Sequence, residues 1–171
     1  CRRLDHSALL MEQGTGKTLV AIALLGHWRK TEELQRALIV APKSVMPEWQ
    51  RQFEELADFP HRLILLTGSL EERKEQLLKG SPKEEVLQVA VVNYEATWRM
   101  TEELKDWDPQ IIITDESQKI KNIKAQQTKA VTALGRTAKH RLILTGTPVT
   151  QSPLDFFAQY RFLDPRIFGT S

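Results

Sequence analysis

Several common features are missing from this sequence, and each absence narrows the class of protein. The single cysteine, Cys1, excludes an intramolecular disulfide, which favours a reducing, intracellular setting. No apolar run approaches the roughly 20 residues that a membrane-spanning helix needs. The first ten residues also have no apolar stretch long enough for a signal peptide. Since the chain does not start with methionine, we expect its numbering to begin inside a larger protein.

A strong excess of one charge is also missing. Lys and Arg number 24 against 22 Asp and Glu, a net charge of +2 over 171 residues. This balance is too even to indicate a nucleic-acid partner, so any such indication has to come from local groups of residues. The length fits one domain with a substantial core, and 41% hydrophobic residues is ordinary for a globular protein.

What the chain does have is a series of short apolar runs at wide intervals. None of them alternates between apolar and polar residues, which is typical of strands buried on both faces of a parallel sheet. The runs are "ALLM" (8–11), "ALIVA" (37–41), "LILL" (63–66), "VAVV" (89–92), "IIIT" (111–114) and "LILT" (142–145).

Helical patterns lie between these runs. Pro47 suits the first position of a helix, and Trp49, Phe53 and Leu56 then follow at helical spacing. Ser69 is a plausible N-cap, whereas the charge-dense stretch 71–85 is typical of a solvated helix and turn. Helices are predicted at 17–30, 47–56, 69–80, 125–135 and 152–165. Alternating strands and helices predict one α/β domain with a mostly parallel sheet and helices on both faces.

The stretch "GTGKT" lies where a phosphate-binding loop belongs, between the first strand and an amphipathic helix. Gly14, Thr15 and Gly16 would let backbone N–H groups turn toward a bound anion at the helix N-terminus. Lys17 would reach the β- and γ-phosphates of ATP, and the Thr18 hydroxyl would bind Mg²⁺. The longer eight-residue pattern requires glycine at position 11, where this chain has methionine, so the match is to the shorter core.

An acidic pair completes this pattern. The buried strand "IIIT" ends in Asp115 and Glu116, at the carboxyl end where parallel sheets bind ligands. Asp115 would hold Mg²⁺ through water, and Glu116 would act as the general base toward the attacking water. The alternative is an ordinary helix N-cap pair, but Lys17 and Thr18 favour the catalytic interpretation.

Successive stretches of the chain resemble the motifs of superfamily-two helicase-like ATPases of the SWI/SNF type. They are "MEQGTGKT", "APKSVMPEWQRQF", "NYE", "TDESQKIKN" and "LTGTPVTQSPLDFFAQYRFLDPRIFG", in that order. The resemblance implies that residues 1–171 form the N-terminal RecA-like lobe of an ATP hydrolase that moves along duplex DNA. It also implies a second RecA-like lobe outside this chain, without which we expect weak nucleotide binding and poor hydrolysis. A localisation in the cytoplasm, nucleoid or nucleus would follow.

The same resemblance assigns further residues. Thr145, Gly146 and Thr147 would link nucleotide state to lobe movement, with hydroxyls that could bond with Gln118. Strand-end loops would contact the DNA backbone, because hydroxyl, amide and amino groups suit phosphate. These candidate DNA contacts are Lys43, Ser44, Thr67, Gly68, Asn93 and Tyr94.

Three other functions stay open at this point. A strand-separating restriction or repair helicase would share the same motifs. A non-hydrolysing scaffold that binds DNA or protein would not require Lys17, Thr18, Asp115 and Glu116 together. A small-molecule kinase also uses a phosphate loop, but "TGTP" and "DESQ" would then be coincidences.

Overall fold

The computed structural model describes residues 6–10, 16–79, 86–116, 126–146, 159 and 161–164. Six strands form one sheet: β1 (His6–Leu10), β2 (Arg36–Ala41), β3 (His61–Leu65), β4 (Leu87–Asn93), β5 (Ile111–Asp115) and β6 (His140–Thr145). Each predicted apolar run overlaps one of these strands. The strand order is β1-β6-β5-β2-β4-β3, and every pair of neighbours is parallel. The predicted fold class is therefore confirmed, and the sheet is parallel throughout.

The helices between the strands are α1 (Lys17–Glu32), α2 (Met46–Leu56), α3 (Leu70–Leu78), α4 (Tyr94–Arg99), α5 (Thr101–Asp106) and α6 (Gln126–Gly135). Pro47 lies in the first turn of α2, one position after the helix begins at Met46 and not at the first position itself. Ser69 caps α3 in a reciprocal arrangement with Glu72, which satisfies two N–H groups at the helix start. The helix predicted over 152–165 lies mostly outside the described residues, as does Gly80, the last residue of the helix predicted over 69–80.

Helices α4 and α5 were not predicted from the sequence. Asn93 is the N-cap of α4, because its side chain accepts a hydrogen bond from the Ala96 N–H. Met100 and Leu104 then bury the inner side of the helical pair. A second difference concerns Leu56, which was expected on the buried face of α2 but is 39% exposed in the last turn of that helix.

Two hydrophobic clusters cover the two faces of the sheet. Helices α1 and α2 pack on one face through side chains such as Leu25, Trp49 and Phe53. Helices α3 to α6 and Phe162 pack on the other face. Because every parallel connection returns to the same end of the sheet, the loops that follow the strands gather at one edge. In the described part of the chain, no helix is long and apolar enough to cross a membrane.

Candidate functional site

The N-terminus of α1 presents a site suited to an anion. Gly16 precedes the helix in the left-handed conformation, with φ of 87°, which glycine adopts without steric cost. Lys17 and Thr18 form the start of the helix, and no acidic residue lies in its first turn. The first turn of α1 therefore contains no carboxylate that would offset the partial positive charge of the helix N-terminus. Gly14 and Thr15, the other predicted loop residues, lie outside the described residues.

A pocket of about 330 Å³ adjoins this helix start. It is lined by the first turn of α1 and by the exposed side of α2: Gly16, Lys17, Thr18, Leu19, Arg51, Gln52, Glu55 and Leu56. The contribution of α2 to this pocket was not predicted from the sequence. Arg51 forms ion pairs with Glu55, at 2.6 Å, and with Glu48. The charges that α2 brings to the rim of the pocket are therefore paired with one another.

The acidic pair lies at the carboxyl end of β5, near the middle of the sheet. Asp115 is 7% exposed, whereas Glu116 is half-buried. Glu116 has φ of 52°, a left-handed conformation that is uncommon for a residue with a side chain. Such backbone conformations concentrate at functional sites, which agrees with a catalytic role for this residue.

Burial raises the pKa of the Asp115 carboxyl group above its ordinary value. Two hydrogen bonds oppose this effect: the Trp49 indole N–H donates to Asp115 Oδ2 at 2.9 Å, and the Glu116 backbone N–H donates to Oδ1 at 2.9 Å. The positive charge of Lys17 also lowers the pKa of Asp115. The phosphate-loop lysine and the strand-end acid, 98 positions apart in the sequence, therefore lie close enough to interact.

Tyr94 contacts the backbone of Asp115 from inside the protein. Its ring is buried, and its hydroxyl group donates a 2.7 Å hydrogen bond to the backbone oxygen of Asp115. Burial also raises the pKa of the Tyr94 hydroxyl well above its ordinary value. This placement argues against a DNA contact by the Tyr94 side chain, because the hydroxyl points into the protein and already has a partner.

Thr145 is the last residue of β6, the strand between the two halves of the site, and Gly146 follows it. β6 pairs with β1 through Thr145 and Leu10, and with β5 through Leu144 and Asp115. Thr145 is fully buried. This position between the phosphate loop and the acid suits the predicted coupling role, although Gln118 and Thr147 lie outside the described residues.

A second pocket, of about 240 Å³, opens where β2, β3 and β4 end. Three predicted DNA contacts line it: Lys43, Gly68 and Asn93. Ser44 and Thr67 are exposed beside them. Gly68 has φ of 88°, and a side chain there would meet the Glu72 carboxylate, so this tight turn requires glycine. We call the surface formed by the lining residues the basic pocket: Lys43, Gly68, Ser69, Leu70, Arg73, Asn93, Glu95, Ala96 and Arg99.

Two arginines of the basic pocket were missed from the sequence. Arg73 donates from Nε to the Gly68 carbonyl at 2.9 Å and from Nη1 to Asn93 Oδ1 at 3.2 Å, so it joins the loops after β3 and β4. Arg99 is exposed and pairs with Glu95 at 3.0 Å. Arg73 belongs to the charge-dense helix predicted to be solvated, and no local sequence signal shows that it turns inward.

Comparison with known proteins matches residues 3–171 to the SNF2-related domain. Helicase ssl-1 of Caenorhabditis elegans is 34% identical over 96% of this chain, and the ISWI chromatin-remodeling complex ATPase ISW2 of Saccharomyces cerevisiae is 31% identical over 94%. The chain spans 7% and 14% of those two proteins.

A solved structure is similar over almost the whole chain. It is the Sulfolobus solfataricus SWI2/SNF2 ATPase core in complex with dsDNA, with a TM-score of 0.79 and 30% identity. The similarity covers 96% of this chain and 32% of that one. Together with the parallel sheet and the paired site at its edge, these matches show that the chain belongs to the SNF2-related domain family and has the RecA-like fold of its ATPase cores.

Proposed function

We propose that this chain is the ATP-binding lobe of a DNA-dependent ATPase of the SWI/SNF type, which couples ATP hydrolysis to movement on duplex DNA. The observation that carries this proposal is the position of the two halves of the site: β1, which leads to α1, and β5, which ends at Asp115, flank β6 in the same parallel sheet. Lys17 at the start of α1 lies near enough to Asp115 at the end of β5 to lower its pKa. A phosphate-binding lysine beside a strand-end acid is the arrangement that nucleotide hydrolysis by a phosphate-loop protein requires.

ATP would bind with its phosphates at the N-terminus of α1. Backbone N–H groups at Gly16 and beyond, together with Lys17, would neutralise the phosphate charge. The adjoining pocket of about 330 Å³ leaves room beside the helix start for the remainder of the nucleotide. Glu116 would orient and deprotonate the attacking water, since it is the half-buried carboxylate next to Asp115.

The donor set of the site fits Mg²⁺. The described residues contain no group of three His, Cys, Asp or Glu side chains that could hold a metal, so a fully protein-coordinated ion is not supported there. Mg²⁺ instead favours one or two protein oxygens together with phosphates and water. Thr18 and Asp115 would supply those oxygens. Each oxygen of Asp115 already accepts one hydrogen bond and has a lone pair left, which suits contact with the ion through water. The bound ion would neutralise charge that develops on the phosphates.

The basic pocket would contact the DNA backbone. Lys43, Arg73 and Arg99 contribute three positive charges against the single negative charge of Glu95. The residues are lysine, arginine and loop amides, which position a phosphate chain without reading base sequence. The similar Sulfolobus solfataricus structure holds duplex DNA, which supports the same ligand here.

The complete motor would include a second RecA-like lobe that closes over the nucleotide. An arginine supplied from outside this lobe would stabilise transition-state charge, an effect of about 10³–10⁵ in rate in phosphoryl transfer. We therefore propose that this lobe alone binds nucleotide weakly and hydrolyses it slowly. A motor that moves on DNA would work inside the cell, in the cytoplasm, nucleoid or nucleus.

ATP hydrolysis with and without duplex DNA tests the proposal. Lys17→Ala serves as the blank, and Lys30→Ala is the matched control because it removes the same charge at the opposite end of α1. We expect slow hydrolysis by the lobe, restored and stimulated by DNA when a second lobe is supplied, and abolished by Lys17→Ala alone. Equal activity of Lys17→Ala and Lys30→Ala would refute the nucleotide site. Rapid DNA-stimulated turnover by the lobe alone would refute the two-lobed arrangement.

A further inference from the structure

Asp115 is held at three points by hydrogen bonds. Its two carboxylate oxygens accept from the Trp49 indole and from the Glu116 backbone, and its carbonyl oxygen accepts from the Tyr94 hydroxyl. The Trp49 and Tyr94 contacts are buried and bridge 66 and 21 residues of sequence. An acid at the end of a strand does not need such support to stay in the sheet, because β5 is already paired on both sides.

Trp49 is more than a packing residue of α2. It is 1% exposed, and its ring packs near Phe53 with centroids 6.2 Å apart. A buried indole N–H needs an acceptor, and this one uses a carboxylate oxygen rather than a backbone carbonyl. This hydrogen bond fixes the rotation of the Asp115 carboxylate, so that the lone pairs that accept no hydrogen bond keep one orientation.

Tyr94 supports the same acid from the opposite face of the sheet. Its ring belongs to the hydrophobic cluster formed with α4 to α6, whereas Trp49 belongs to the cluster formed with α1 and α2. The 2.7 Å bond fixes the peptide group at which β5 ends and the left-handed turn of Glu116 begins. Asp115 is therefore clamped between two layers of helices.

We propose that Trp49 and Tyr94 are positioning residues that hold Asp115 ready for the Mg²⁺–nucleotide complex. This inference rests on the proposed function of Asp115. Both residues lie on helices that follow loops of the proposed DNA surface: α2 follows the loop that contains Lys43, and α4 starts at Tyr94, directly after Asn93. The helices that begin at the proposed DNA surface would thus supply the side chains that hold the acid of the ATP site.

The test measures the magnesium dependence of nucleotide binding, which needs no hydrolysis. Calorimetry gives the Kd of this chain for a non-hydrolysable ATP analogue in Mg²⁺ and in EDTA. The Kd in EDTA divided by the Kd in Mg²⁺ is the magnesium factor. The variants are Trp49→Phe, Tyr94→Phe and Asp115→Asn. Trp28→Phe is the matched control, because Trp28 is also buried in the same cluster but stacks on His140 instead of contacting Asp115.

We expect Trp49→Phe to lower the magnesium factor by about tenfold, which is typical when a residue that orients a metal ligand is removed. Tyr94→Phe should lower it in the same direction by less. The Kd in EDTA should stay within about twofold for both, and Trp28→Phe should keep the wild-type factor. In the Asp115→Asn background, Trp49→Phe should have no further effect, because the group on which it acts has changed.

Results that contradict the positioning role differ from results that contradict the proposed function. A Trp49→Phe variant that weakens binding equally in Mg²⁺ and EDTA, or that matches Trp28→Phe, would show that Trp49 only packs. If Trp49→Phe does not fold, an unchanged magnesium factor for Tyr94→Phe overturns the inference, and a lowered factor supports it. A wild-type chain with no magnesium dependence would refute the proposed function itself, and Asp115→Asn would then behave as wild type.

Discussion

Lys43 gives the sharpest test of the proposed DNA surface. It is exposed at the rim of the basic pocket, directly after β2. Among the residues that the structure describes, no acidic side chain forms an ion pair with it. Its ammonium group is therefore available to a DNA phosphate, where binding would release a condensed counterion.

The expected loss of DNA affinity on Lys43→Ala follows from the removal of this one phosphate contact. Removing one phosphate contact lowers the slope of log K against log salt by about 0.9. At about 0.1 M salt this is a loss of about eightfold in affinity, or roughly 1.2 kcal/mol. Because contacts of this kind do not read bases, the loss should be the same for duplexes of different sequence.

The assay is fluorescence anisotropy of a labelled duplex between about 50 and 200 mM salt, the range in which the slope is well defined. Lys43→Ala is compared with Lys30→Ala, which removes the same charge from the last turn of α1. We expect only Lys43→Ala, and not Lys30→Ala, to lower the slope of log K against log salt. Equal losses for the two variants would mean that only overall charge matters, and no loss for Lys43→Ala would place the DNA elsewhere.

Three further predictions concern catalysis and stability. Glu116→Gln should keep nucleotide binding by this chain but lower hydrolysis, measured with a second lobe supplied, by at least about 100-fold, and an unchanged rate would exclude Glu116 as the base. Phe53→Ala should lower the free energy of unfolding in urea by about 3–5 kcal/mol, since Phe53 is fully buried between Trp49 and His61. The Lys74 hydrogen bond at 2.8 Å lowers the pKa of Glu103, so the stability that this carboxylate adds is present above the ordinary glutamate pKa and is lost as pH falls through the lowered one. The difference in urea midpoint between wild type and Glu103→Gln should therefore shrink on acidification, and a difference that stays constant with pH would contradict this.

The sheet was predictable because its inner strands β2, β4, β5 and β6 are buried on both faces and so read as continuous apolar runs. Helix α4 was not predicted, although Asn93 is a good capping residue and Tyr94, Thr97 and Met100 have helical spacing. The stretch "NYE" was instead interpreted as a motif at the end of the fourth strand. Where one short segment serves as both cap and loop, periodicity has too few residues to show the helix.

The two ends of the candidate site were predictable for a different reason. Lys17 and Asp115 each follow a strand, and parallel strands bring such positions to one edge. The Trp49–Asp115 bond was not predictable, since the spacing of Trp49 indicates only that its ring is buried and says nothing about the indole N–H. Partners 66 residues apart are chosen by how α2 packs on β5, which is a property of the whole fold.

The burial of Asp115 has an energetic consequence for the proposed cycle. Desolvation raises the pKa of this carboxyl group, which means that its charged form is less favourable at this position than in water. Trp49, the Glu116 N–H and Lys17 reduce this penalty without removing it. A cation that arrives with the nucleotide would interact most strongly with a carboxylate that water cannot screen. The burial that disfavours the charged form of Asp115 would therefore strengthen the preference of the site for nucleotide with Mg²⁺ over nucleotide alone. The hydrogen bonds from Trp49 and Tyr94 would keep the carboxylate from rotating away from the site.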